Sequence, residues 1–201
     1  MPELLLATNN PGKLREYTQL LSGCGYQLVA PADKGIDITV AETGNTFTEN
    51  AVMKARTLAA ASGLLTLADD SGLEVDALNG APGVRSARYA GDDASDGDRI
   101  ALLLKNLEGV PLEKRTARFR CVIAIADVAG TIRLAEGSVE GRVIFAPRGS
   151  HGFGYDPVFL LPELGKTLAE LAPEEKNRIS HRARAAATAC DLLKHNAITD
   201  P

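Results

Sequence analysis

The first seventy residues switch repeatedly between strand and helix periodicity, and that alternation limits the fold more than any other feature of the chain. Glu3 to Ala7, with the apolar run Leu4-Leu5-Leu6-Ala7, reads as a buried strand, Gly12 to Leu21 as a helix, and Gln27 to Ala30 as a short second strand. The next helix is better specified. Thr46 and Glu49 have capping-box spacing, Phe47, Ala51, Ala55, Leu58 and Ser62 share one face, and Gly63 suits the C-terminal cap. Leu64 to Ala68 is a third apolar strand, ending in Asp69-Asp70-Ser71-Gly72. Strands alternating with helices build a parallel or mixed sheet covered by helices, so the fold class is α/β.

The rest of the chain extends this pattern. Residues 79 to 98 read as a long Gly/Pro/Asp-rich loop before a helix over Asp96 to Leu107. Arg118 to Asp127 and Ile132 to Glu140 predict an antiparallel hairpin turning at Ala129-Gly130. Pro157 to Leu161 reads as a short strand. Pro173 to Lys194 is helical, with a break at Ser180 favoured over one unbroken helix. No repeat, low-complexity tract or linker divides the sequence, which predicts a single domain over residues 1–201.

Composition narrows the function classes. A net charge of −4 argues against a basic track for a nucleic-acid polymer, although a small anion needs only a few lysines and arginines. Three widely spaced cysteines, with no C-x-x-C pair, argue against both a disulfide scaffold and a zinc site. The N-terminal apolar run is too short for a signal peptide and no stretch reaches membrane-spanning length, so a soluble cytoplasmic protein is expected.

Several constellations can carry chemistry. Thr8-Asn9-Asn10-Pro11-Gly12-Lys13 links the first strand to the first helix, and a helix start presents unpaired N–H donors and a positive dipole end that suit phosphate. Lys13 is a cation where the dipole disfavours one, unless an anion lies nearby. The glycine spacing of a Walker loop is absent, and an ordinary strand-to-helix turn is the competing reading. Asp69 and Asp70 sit at the carboxyl end of a strand, where open α/β sheets place ligands, but neighbours on a strand face opposite ways. With Glu42, one of them gives the pair of carboxylates that suffices for a metal held against phosphates; a solvated turn is the alternative. Lys54, beside Asn50 on the capped helix, either snorkels to solvent or points into a cleft. Gly149 to Pro157 joins permissive backbone to two aromatics and a carboxylate, and Lys176, Ser180, His181 and Arg182 form a last cluster. Each is also compatible with a plain loop or a surface helix. Arg85 and Arg88 are assigned no role.

Together the motifs T-N-N-P-G-K, E-T-G-N-T-F-T-E-N-A-x-x-K-A, A-D-D-S-G-L-E-V, G-V-R-S-A-R-Y-A-G, G-F-G-Y-D-P and E-E-K-N-x-I-S-H-R occur in this order. From Leu4 to about Leu193 the chain resembles the inosine triphosphate pyrophosphatase family, specifically its bacterial dITP/XTP-hydrolysing members. The resemblance implies hydrolysis of non-canonical purine nucleoside triphosphates (ITP, dITP, XTP) to monophosphate and pyrophosphate with Mg²⁺. It implies an elongated mixed α/β sheet with flanking helices, two lobes around a central nucleotide cleft, and a homodimer. By the same resemblance Thr8, Asn9, Asn10, Pro11, Gly12, Lys13 and Lys54 hold the triphosphate. Asp70 is general base and metal ligand, Glu42 supports the metal, and Ser71 lies against the substrate. Phe153, Gly154, Tyr155, Asp156, Lys176, His181 and Arg182 surround base and sugar. Asn9 stands where many relatives have glycine. A pyrophosphatase for modified pyrimidine triphosphates and a non-catalytic purine nucleotide sensor are the competing functions.

Overall fold

The computed structural model describes residues 1–196. In chain order the elements are β1 (Glu3–Leu6), α1 (Pro11–Leu20), β2 (Gln27–Val29), α2 (Phe47–Ser62), β3 (Thr66–Val75) and α3 (Asp96–Asn106). They continue with β4 (Thr116–Ala126), β5 (Ile132–Val143), β6 (Phe159–Leu161), β7 (Lys166–Thr167), α4 (Pro173–Ile179) and α5 (His181–Asn196). The strands form one open seven-stranded sheet in the order β2-β1-β3-β4-β5-β6-β7. β1 pairs in parallel with β2 and β3, while β6 pairs antiparallel with β5 and β7, so the sheet is mixed as expected. The parallel pairs are those joined through helices, which a parallel connection requires.

Local chemistry accounts for the element ends. Asn10 caps α1 by accepting from the Lys13 amide at 3.0 Å, with Pro11 in the first helical position. The Thr46–Glu49 box caps α2, and Gly63 closes it with φ +68°. Ser95 and Asp98 repeat the box at α3. The break at Ser180 is present: α4 ends there and the residue is extended, with φ −67° and ψ 161°.

One boundary differs. The strand expected over Leu64 to Ala68 runs on to Val75 as β3, through both aspartates and Ser71-Gly72. Leu73 and Val75 are fully buried, and their packing overrides the turn preference of Ser and Gly. Both aspartates are therefore strand residues.

The chain divides into two compact units. Among the described residues, the first comprises 1–70, 121–137 and 182–196, and the second 71–120 and 138–181. The first has a core of Leu4, Leu6, Tyr17, Leu67, Ile123 and Ile125, against which α5 packs Ala185, Ala186, Ala189 and Leu193. The second has its own core, including Leu73, Leu103, Phe119, Tyr155, Phe159 and Leu168.

Against the expectation from their spacing, the cysteines are not all free. Cys24, just after α1, and Cys190, on α5, form a disulfide across 166 positions of sequence. Spacing gave no hint of it because the first unit is assembled from distant segments. Cys121 is free and buried. Closing so long a loop restricts the unfolded chain, so Cys190→Ser should destabilise by about 2–5 kcal/mol. A lower thermal midpoint is expected; an unchanged midpoint would show that the bond adds nothing to stability.

Candidate active site

Asp69 is the centre of charge in the first unit. Its side chain is 1 % exposed and carries Lys13 Nζ at 2.9 Å on Oδ1, with Arg182 Nε 3.7 Å from Oδ2. Arg182 is itself buried and donates to Glu16 at 2.5 Å, and its guanidinium lies 5.9 Å from the Tyr17 ring centroid. The Tyr17 hydroxyl and Cys121 thiol, 3.6 Å apart, complete the surroundings, with Cys121 Sγ 3.8 Å from Asp69 Oδ2. Burial pushes the Asp69 carboxyl up, but Lys13, Arg182 and Lys54 outweigh it and hold it well below the ordinary carboxylate range. Burial and the nearby Asp69 charge push the Cys121 thiol up to about 12, so it stays protonated.

Asp70 points the other way from β3, as strand geometry requires. Its Oδ2 accepts from Asn50 Nδ2 at 2.9 Å, and its Oδ1 lies 3.9 Å from Lys54 Nζ. Lys54 donates to Glu42 Oε1 at 2.7 Å. Burial raises the Asp70 carboxyl, helped by Glu42, and Lys54 and Asn50 do not fully offset it. Lys54 moves oppositely to what burial favours, since Asp69, Asp70 and Glu42 keep it charged. Lys54 thus reaches inward and does not snorkel to solvent.

Lys54 also shows that one cation reaches both Glu42 and Asp70. Among the described residues no group of three His, Cys, Asp or Glu side chains is assembled to cage a metal. Two hard carboxylates match Mg²⁺, which takes one or two such ligands and completes its shell with water and substrate phosphate. The donor set fits. Ser71 follows Asp70 on β3 and is half-buried. In the loop before α1, Thr8 Oγ1 accepts from the Asn10 amide at 3.2 Å, Asn9, Asn10 and Pro11 are exposed, and Gly12 is buried. Asn10 already occupies the Lys13 amide, and the loop is ordered by its own hydrogen bonds.

The second unit holds a separate cluster. Lys176 donates to Asp156 Oδ2 at 2.5 Å, both side chains almost fully buried, and its Nζ lies 5.0 Å from the Phe153 ring centroid. Asp156 Oδ2 also accepts from the Phe153 amide, while the Gly154 amide donates to Asp96 at 2.7 Å. A Cβ on Gly152, where φ is +76°, would lie 2.1 Å from that same oxygen of Asp156, so glycine is required there. His181 stacks on Phe119 with centroids 4.7 Å apart.

Two placements bear on the candidate residues. Tyr155 offers no face for a base: it is a core residue whose hydroxyl donates to the Ser86 carbonyl. Arg182, expected with the base-binding group, sits with Lys13 and Asp69.

A model described as the Ham1 family matches residues 4–192. The chain belongs to the Ham1 family. It is 54% identical over 191 residues to the dITP/XTP pyrophosphatase of Desulforamulus reducens, covering 95% of each chain. It is 46% identical over 194 residues to that of Bacillus subtilis, covering 96% of this chain and 98% of the other. A HAM1 protein from Coxiella burnetii has a similar structure, with a TM-score of 0.89 at 43% identity over 97% of this chain and 100% of that one.

In this Ham1 protein, Asp69, Asn50 and Glu16, which have no role assigned from sequence, bond to the candidate residues Lys13, Asp70 and Arg182. Lys13, a cation at a helix start, is the signal that could have found Asp69. The two aspartates predict opposite effects. Asp69, held low, adds stability that is complete above its unfolded value of about 3.9 and is lost as pH falls below it. Asp69→Asn should cost about 3–5 kcal/mol at pH 7, because it strands buried partners, and the gap from wild type should narrow as pH falls below about 4. Asp70, held high, subtracts stability as pH rises through its unfolded value. Metal-free Asp70→Asn should therefore melt above wild type at pH 7 and lose that advantage below about pH 4. Denaturant titrations across pH check both; a gap independent of pH for either variant contradicts the assignment.

Proposed function

We propose that this Ham1-family protein hydrolyses non-canonical purine nucleoside triphosphates, ITP, dITP and XTP, to the monophosphate and pyrophosphate. The observation that carries the reading is the Asp70 carboxylate, held by Asn50 beside the Lys54–Glu42 pair. The names of the Desulforamulus and Bacillus relatives, which match nearly the whole chain, support the same substrate class.

Charge, geometry and the family resemblance support the following roles. Thr8 to Lys13 and Lys54 take the triphosphate, with Arg182 adding a fixed positive charge beside Asp69. Glu42 and Asp70 would hold Mg²⁺, whose chemistry there would be to offset phosphate charge. Asp70 takes the proton of the attacking water, and its raised affinity for a proton suits a base. Ser71, next on the strand, contacts the substrate. Phe153, Gly154 and Asp156, with Lys176 and His181, serve base and sugar, and Tyr155 supports them from the core. Lysine only donates hydrogen bonds, so the 6-oxo group of hypoxanthine or xanthine is accepted and the 6-amino group of adenine opposed. The whole chain acts as one pyrophosphatase domain, in the cytoplasm and as a homodimer. The family match over residues 4–192 supports the first of these, and the family resemblance supports the other two.

Product analysis with ITP and Mg²⁺ tests the reading. IMP and pyrophosphate are expected; IDP and orthophosphate would overturn it, and binding of ITP without turnover would make the protein a sensor. ITP should exceed ATP in kcat/KM by about a hundredfold or more. Asp70→Asn, which keeps shape but removes the base, should lower kcat by about 10²–10⁴-fold with the fold intact. Near-wild-type turnover would remove Asp70 from the chemistry.

A further inference from the structure

Asn50 on α2 is fully buried and bonded at both ends of its amide. Nδ2 donates to Asp70 Oδ2 at 2.9 Å, and Oδ1 accepts the Gly44 amide at 2.8 Å. Chemistry fixes this orientation. A carboxylate only accepts and a backbone N–H only donates, so the amide cannot flip without losing both bonds. Gly44 lies in the loop that carries Glu42, and the approach is close: a Cβ there would fall 2.7 Å from Asn50 Oδ1. One helical turn further along α2, Lys54 pairs with Glu42 at 2.7 Å and lies 3.9 Å from Asp70. One face of α2 therefore grips both carboxylates, through Asn50 on the Asp70 side and Lys54 on the Glu42 side.

We propose that Asn50 is a positioning residue for the hydrolysis, setting the rotamer of Asp70 and tying it in register with the 42–46 loop that brings Glu42. The proposal rests on the pyrophosphatase reading. A buried carboxylate needs donors, and the choice of donor decides which oxygen is occupied and where the other points. A buried amide that bridges a strand aspartate and a loop backbone contributes nothing to the apolar core. Its bonds run to the two segments that carry the proposed base and metal ligand.

The test is a double-mutant cycle on steady-state ITP hydrolysis. Asn50→Ala removes both bonds. Asn50→Asp keeps the shape and the acceptor for Gly44 but turns an oxygen on Asp70. Each should lower kcat about 10–100-fold with KM changed less than about threefold, the usual cost of losing a residue that orients a ligand. Calorimetric binding of ITP without metal should stay within about threefold of wild type, showing that the phosphate loop is intact. In an Asp70→Asn background, Asn50→Ala should change the residual kcat less than about twofold, because its effect passes through Asp70. An equal fractional loss in both backgrounds, or a near-wild-type kcat in Asn50→Asp, overturns the proposal. Should Asn50→Ala fail to fold, Asn50→Asp decides alone. A wild-type protein inert toward ITP would sink the pyrophosphatase reading itself, whereas an active wild type indifferent to Asn50 sinks only the positioning role.

Discussion

The first unit depends on a buried negative charge that is always compensated. Asp69 is all but inaccessible to water, and removing a carboxylate from water costs several kcal/mol unless cations and donors replace its hydration. Lys13 at the start of α1 and Arg182 at the start of α5 are those replacements, and Glu16 fixes Arg182 in turn. Three segments far apart in sequence, 13–16, 69 and 182, are thereby locked to one point. The Cys24–Cys190 disulfide joins the turn after α1 to the same α5 helix, so the two helices that bring the cations are tied covalently as well.

Asp70 shows how one peptide step along a strand changes a role. Because consecutive side chains leave β3 on opposite sides, Asp69 enters the Lys13–Arg182 network and Asp70 enters the Asn50–Lys54–Glu42 network. Two cations close to Asp69 make it a fixed counter-ion. Burial, with Glu42 nearby, leaves Asp70 readier to accept a proton, and the Asn50 amide and the lysine at 3.9 Å that it shares with Glu42 do not fully offset this. Separating two carboxylates by environment in this way is how a site obtains a spectator and a base from the same residue type.

Much of this was legible from local pattern. Thr46–Glu49, Gly63 and Ser180 act through neighbours a few residues away, so their effects could be read from spacing, and the mixed sheet followed from alternating periods. Lys13, expected to meet a phosphate, pairs in the structure with Asp69. What stayed hidden depends on long-range packing. Leu73 and Val75 pull β3 past a Ser-Gly pair that looked like a turn. Tyr155 disappears into a core that no window of sequence displays, Arg182 joins a residue 113 positions earlier, and Cys24 finds a partner 166 positions later. Asn50 was visible only as a neighbour of Lys54, since its meaning lies in two bonds to other segments.

The division of labour between the two aspartates is the claim on which the rest stands. Carbon-13 NMR of the aspartate carboxyls in the metal-free protein, followed as pH is lowered, reads it directly. Asp69 should remain ionised well below the ordinary aspartate value of about 3.9, and Asp70 should take up its proton above that value. Both carboxyls titrating together near the ordinary value, or Asp69 protonating first, would contradict the account.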